Sequence, residues 1–152
     1  MSGLLFIDTS VLVEYLVDGE KAGVAEEILL GSWVFLTSPT VYREALGALA
    51  LIVGREKLGI KGKHSLRKFV AKKGWEPFSK VVASLNGLLD ELGIVIVGDS
   101  FRRDELYETM KKYNLMPSDA QIVLTCQNHN VKNIATFDSD FKRVSWLKTL
   151  GV

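Results

Sequence analysis

Four acidic residues of this chain stand where a carboxylate has little reason to sit merely to face water. Asp8 ends the apolar run Leu4-Leu5-Phe6-Ile7, and Glu44 lies on the apolar stripe of a predicted helix. Asp119 opens a later helix, and Asp138 follows Ile134-Ala135-Thr136-Phe137. Packed together, several carboxylates repel one another, and full ionisation is costly without a cation. A hard, oxygen-ligated Mg²⁺ or Mn²⁺ relieves that repulsion and lowers the pKa of a bound water, which can then attack a phosphodiester in line. Such chemistry needs no nucleophilic Ser or Cys.

Taken singly, each acid has an ordinary explanation. Asp8 before Thr9-Ser10 is a helix N-cap. Glu44 falls within the stripe Val41, Ala45, Ala48, Leu49 and Ile52, where a long carboxylate calls for a partner, and a salt bridge would serve. Asp119 favours the helix dipole from the first turn, yet it also heads the apolar stripe Ile122, Val123 and Cys126. Asp138 and Asp140 flank Ser139 in a turn-like segment. Jointly, their places at strand ends and on inward helix faces point to one site.

The elements that must position them alternate in type. Strands are expected at Leu4–Ile7, Trp33–Leu36, Ile94–Val97 and Ile134–Thr136, with a short edge strand at Trp146–Leu150. Helices are expected at Ser10–Leu16, Lys21–Leu30, from Ser38-Pro39 to about Val53 with a stop at Gly54, near Lys63–Lys73, and at Phe78–Leu92. Two more run from Phe101 to about Tyr113, capped by Asp99 or Ser100, and from Pro117 to Asn128–Asn130. Strand runs that are apolar throughout imply a sheet covered on both faces, so the expected fold is α/β: an α/β/α sandwich around a parallel sheet of four to five strands. In such sheets, sites form beyond the carboxyl ends of the strands, where Asp8 and Asp138 fall.

At 152 residues the chain is expected to form a single domain, residues 1–152. It is 47% hydrophobic and 24% charged, an ordinary globular composition. Cys126, the only cysteine, excludes an intramolecular disulfide and a cysteine zinc cage, and it reads as core. The N-terminal segment lacks a basic region before its few apolar residues, and no apolar run is long enough to span a membrane, so a cytoplasmic protein is expected. His64 and His129 read as surface residues. The net charge of +1 hides an imbalance: Arg55 to Lys80 holds nine Lys/Arg against two Glu, a local +7, leaving −6 elsewhere. Lys61, Lys63, Arg67, Lys68 and Lys72 are candidate phosphate contacts, with a solvated helix face as the plainer reading. Stacking on bases is an alternative for Phe69 and Trp75, but core packing is the expectation for both.

The segments Phe6-Ile7-Asp8-Thr9-Ser10-Val11-Leu12, Ser38-Pro39-Thr40-Val41-Tyr42-Arg43-Glu44, Ser118-Asp119-Ala120 and Ala135-Thr136-Phe137-Asp138-Ser139-Asp140-Phe141 resemble the PIN domain. They are most similar to the VapC-type toxins of prokaryotic toxin–antitoxin pairs. The resemblance spans Asp8 to about Val144. It implies a PIN-like fold and a Mg²⁺- or Mn²⁺-dependent endoribonuclease whose acidic quartet is Asp8, Glu44, Asp119 and Asp138. Asp140 is implied as a further metal ligand, with Thr9, Ser10 and Thr136 as hydroxyls that orient the acids. It also implies an RNA substrate, a cognate antitoxin protein and a homodimer, and no membrane association.

Two other acid-bearing parallel folds fail on spacing. A receiver-type phosphoacceptor domain wants an adjacent acidic pair near the first strand, where only Asp8 stands. A haloacid-dehalogenase-type phosphatase wants a second Asp two residues after Asp8, where Ser10 stands. The alternative of a different class is a PIN-like module that binds RNA or protein without cutting.

Overall fold

The computed structural model describes residues 3–152. Five short strands, β1 (Leu4–Ile7), β2 (Val34–Thr37), β3 (Val95–Ile96), β4 (Asn133–Ala135) and β5 (Lys148–Leu150), form one parallel sheet in the order β3-β2-β1-β4-β5. Between them run α1 (Thr9–Leu16), α2 (Ala22–Leu29), α3 (Pro39–Lys57), α4 (Lys63–Lys73), α5 (Ser79–Glu91), α6 (Arg103–Tyr113) and α7 (Pro117–Asn128). This is the expected α/β/α sandwich. No helix among the described residues is long and apolar enough to cross a membrane.

Strand order decides where a site can form. From β1 the chain moves to β2 on one side and later returns to β4 on the other, so connections leave β1 in opposite directions. A crevice opens at such a switch point, beyond the carboxyl ends of β1 and β4. Leu5, Phe6 and Ile7 of β1 and Ile134 and Ala135 of β4 are fully buried and fix those ends in a core shared with Val11, Val41, Ala45, Ile122 and Phe141. Cys126 and the exposed His64 and His129 lie as expected.

Several boundaries differ from expectation, each for a local reason. α3 does not stop at Gly54 but continues to Lys57. Gly54 is buried inside the helix, where an added Cβ would stand 3.0 Å from Ile60 Cδ1, so this glycine permits a close approach. Asp99 and Ser100 do not cap α6, which begins at Arg103 with no side-chain cap. Asp99 Oδ1 instead accepts from Thr40 N in the first turn of α3, 3.3 Å away, beside the Ser38 cap on Val41 N. The backbone N–H of Ser100 donates to Thr125 Oγ1. The third strand shrinks to two exposed residues at the sheet edge, and the last to Lys148–Leu150.

A second, smaller apolar cluster lies apart from the main core. Ala50, Ile60 and Phe78 are buried there, with Val53, Leu66, Phe69, Val70 and Val81 packed around them. Phe69 meets Phe78 edge-on with centroids 6.0 Å apart. Trp75 does not join the core as expected: it touches Phe78 at 5.4 Å but stays 51% exposed. This cluster ties α4 to the far end of α3. Removing its fully buried aromatic ring, by Phe78→Ala, is expected to destabilise the protein by about 3–5 kcal/mol in denaturant unfolding, as for other large-to-small core changes. A loss below about 1 kcal/mol would show that the cluster is not part of the cooperative core.

Candidate active site

Asp8 is the most enclosed of the acids, with only 6% of its surface exposed. It follows β1 and caps α1: Oδ1 accepts from Thr9 N at 2.8 Å. Oδ2 accepts from Ser10 Oγ at 3.3 Å and from the buried Thr136 Oγ1 at 2.7 Å. The expected cap and the inward-facing carboxylate are therefore the same residue. Burial raises the Asp8 pKa above its usual carboxylate value, these hydrogen bonds oppose the rise, and the charge of Asp138 adds to it.

The segment after β4 is built around the same hydroxyl. Thr136 Oγ1, while donating to Asp8, accepts from Asp138 N at 3.0 Å. Ser10 Oγ accepts from Phe137 N at 3.0 Å, and Asp138 Oδ1 accepts from Asp140 N at 2.9 Å. Asp138 thus caps a single short turn of helix, Ser139–Arg143. Hydroxyls at 10 and 136 lock the two strand ends together and aim their acids into one place. Thr9 works on the other neighbour, its Oγ1 reaching Glu44 Oε1 at 3.5 Å.

Glu44 lies in the second turn of α3 and Asp119 in the first turn of α7. Glu44 is solvent-accessible rather than buried in its apolar stripe, so it needs no salt-bridge partner. Partial desolvation and then the charge of Asp8 raise its pKa. Asp119 is half-buried and is pushed up to about 7, first by burial and then by the charges of Asp138, Asp8, Glu44 and Asp140. Asp8, Thr9, Ser10, Glu44, Asp119 and Asp138 line one cleft of about 280 Å³, floored by Val13 and Ala48.

The tightest acidic grouping, which reaches Asp140 beside that cleft, differs from the expected quartet. Carboxylate oxygens of Asp119, Asp138 and Asp140 lie within 4.8 Å of one another, while Asp8 and Glu44 stand outside that group. Asp140 is thus brought in with the quartet. Arg143, which sequence reasoning missed, donates to Asp140 Oδ1 at 2.9 Å and to the carbonyl oxygen of Asn114 at 2.6 Å. It ties the Asp140 turn to the loop that leads into α7. Its i,i+3 spacing from Asp140 was the available signal. Thr37 was also missed: its hydroxyl donates to Ile7 O at 3.0 Å and fixes the end of β1 from the β2 side. Burial pushes the Cys126 thiol well above its ordinary pKa, so it offers no thiolate nucleophile. Lys61, Lys63, Arg67, Lys68 and Lys72 are not in the cleft; all are exposed on or just before α4.

An all-oxygen donor set, in which burial and then mutual repulsion raise the pKa values of Asp8, Glu44 and Asp119, fits a hard divalent cation. Soft-metal chemistry has no ligands here.

Comparison with known proteins points the same way. The chain is 28% identical over 148 residues to ribonuclease VapC6 of Methanocaldococcus jannaschii, covering 96% of this chain and 95% of that one. Mycobacterium tuberculosis VapC20, a sarcin–ricin loop cleaving toxin, has the same fold, with a TM-score of 0.62 over 95% of this chain and 97% of that one at 13% identity. A toxin–antitoxin complex from Klebsiella pneumoniae gives a TM-score of 0.52 over 94% of each chain at 19% identity. The family model described as the PIN domain matches residues 5–147. With that match spanning all strands but the last, the cleft and all five acids, the chain belongs to the PIN-domain family.

Proposed function

We propose that this chain is a metal-dependent endoribonuclease and the toxin of a toxin–antitoxin pair, acting as one PIN domain. The observation that carries the reading is the convergence of five carboxylates at the β1/β4 switch point of a PIN-family chain. A relative that is 28% identical and named a ribonuclease supports it. We assign Asp8, Glu44, Asp119 and Asp138 as the acids that hold Mg²⁺ or Mn²⁺, with Asp140 as a fifth. When bound, such a cation offsets the negative charge of a phosphodiester and makes hydroxide available near neutral pH.

The chain's own residues do the rest. Thr9, Ser10 and Thr136 each donate to a carboxylate, so the acids are oriented before any ligand arrives, which spares that reorganisation during reaction. Arg143 occupies one oxygen of Asp140 and leaves the other free. Asp119 accepts no hydrogen bond from the described residues, and with its pKa pushed up to about 7 it is partly protonated near neutral pH while no cation is present. Binding a cation must displace that proton.

The antitoxin follows from the same electrostatics. Without a cation the cleft is a strongly negative hole, suited to an Arg or Lys side chain of a partner protein. The likeness to a solved toxin–antitoxin complex from Klebsiella pneumoniae supports an antitoxin partner. We also read the chain as a homodimer paired through apolar helix surface.

Three expected outcomes test this reading. RNA cleavage should require Mg²⁺ or Mn²⁺, and Asp8→Asn should lower it by orders of magnitude with the fold intact. Cleavage at the wild-type rate in EDTA would leave a PIN-like module whose nuclease chemistry, if any, lies elsewhere.

The second concerns pH. The folded-state pKa of Asp119 is raised from 3.8 to about 7, so the folded chain holds this proton more tightly than the unfolded chain. The associated stability is fully present below pH 3.8 and is lost as pH rises through about 7 in metal-free protein. Melting temperature without metal should therefore fall over that window, and Asp119→Asn should flatten the fall. Mn²⁺ should restore stability most at the alkaline end. A metal-free profile identical in wild type and Asp119→Asn would refute the assignment.

Third, co-expression with the adjacent small reading frame should yield a complex in which Mg²⁺-dependent cleavage is silent. Glu44→Gln should weaken that complex. Recovery of the chain without a partner would leave a free-standing ribonuclease.

A further inference from the structure

We propose that α4 and the turn after it form a phosphate-binding arm that carries single-stranded RNA to the cleft. The inference rests on the reading of that cleft as an RNA-cutting centre. From Lys57 to Trp75 the chain has seven Lys/Arg and no acid. All seven are exposed, and each of the five ion pairs among the described residues lies elsewhere. These cations are therefore not neutralised by their own protein.

A solvated helix face would look different. Surface helices commonly intersperse both signs. The helix dipole explains Lys72 and Lys73 in the last turn of α4, but it disfavours Lys63 in the first and leaves Arg67 and Lys68 without a local reason. Leu66, Phe69 and Val70 turn one side of α4 onto the second apolar cluster. At 100° per residue that places Lys68 on the opposite side, with Arg67 and Lys72 flanking it. The arm is thus anchored by packing and charged where it faces outward.

Trp75 supplies the second kind of contact. Its ring is held against Phe78 and yet is 51% exposed, a fixed aromatic surface at the end of a basic row. Cationic tracks with interleaved aromatic rings are how proteins hold single strands without reading sequence. Position fits as well. α4 packs where Gly54 meets Ile60, ten residues along α3 from Glu44, or about 15 Å at the rise of an α-helix. A strand lying along the arm reaches the cleft within a few nucleotides.

The test uses the full chain carrying Asp8→Asn, with poly(U) as the probe, so that binding is read without cleavage. Arg67→Gln, Lys68→Gln and Lys72→Gln combined remove charge at little cost in helix propensity. If the arm holds phosphates, the slope of log K against log salt should flatten by about 2, at about 0.7 per contact. Poly(U) should quench Trp75 fluorescence, and Trp75→Phe should remove that change. A slope and a fluorescence signal that stay the same in the variants overturn the arm. So does a triple variant that keeps its slope but no longer binds the antitoxin, which would assign the row to a protein partner. Loss of poly(U) binding in the triple variant, when the chain with Asp8 intact never cuts RNA, would support the arm while refuting the nuclease reading. An unchanged slope, when the triple variant with Asp8 intact still cleaves, refutes the arm alone.

Discussion

The hydroxyl of Thr136 holds the end of one strand against the end of another. It donates to Asp8 Oδ2 at 2.7 Å across 128 residues of chain, and it accepts from Asp138 N. A carboxylate as enclosed as Asp8 is expensive to bury without partners. Three donors converge on it, and one of them also sets the turn that carries Asp138. Displace this hydroxyl and two acids lose their aim while the sheet beneath stays parallel. The rest of the cleft is arranged around that pair, with Glu44 tied through Thr9 and Asp140 through Asp138.

Packing and charge pull in opposite directions around this bond. The core draws β1, β4, α3 and α7 together, and the acids at their ends are drawn together with them. Burial first, and their repulsion after it, raises the pKa values of Asp8, Glu44 and Asp119. Functional sites commonly carry such destabilisation, offset by the stability of the surrounding scaffold. Here the scaffold is a sheet whose central strands are buried toward their carboxyl ends, and no buried side-chain polar atom of the described residues lacks a hydrogen-bond partner. Asp119, raised most clearly, is the one raised acid that accepts no hydrogen bond from the described residues.

The alternating strands and helices were legible because their signals are local. Four-residue apolar runs, Ser38-Pro39 and Pro117 marked their elements to within a residue or two. The boundaries that went astray depend on distant partners. Gly54 looked like a stop, but the reason for a glycine there is Ile60 folding back on it. Asp99 looked like the cap of its own helix, but it reaches the start of α3, 59 residues earlier. In the cleft, residue types and strand ends disclosed which acids gather. They could not disclose that Asp140 joins Asp119 and Asp138 in one group within 4.8 Å, because that depends on how a five-residue turn curls. Arg143 escaped notice because its second contact, the Asn114 carbonyl, belongs to a loop 29 residues away. Trp75 departs from expectation for a related cause: an aromatic ring in a basic tract carries no mark of which side it will face.

The sheet order also bears on how the protein comes into being. β1 leaves the ribosome long before its neighbour β4, which pairs with it across more than a hundred residues. Pairings so distant in sequence close late, because loop entropy must be overcome before they contribute. Until the ribosome has delivered Thr136 and Asp138, Asp8 has only its neighbours Thr9 and Ser10 as partners and the cleft has no far wall. A growing chain therefore carries the first acid through most of its synthesis without the means to use it. The cluster of acids forms all at once, when β4 and its turn fall into place.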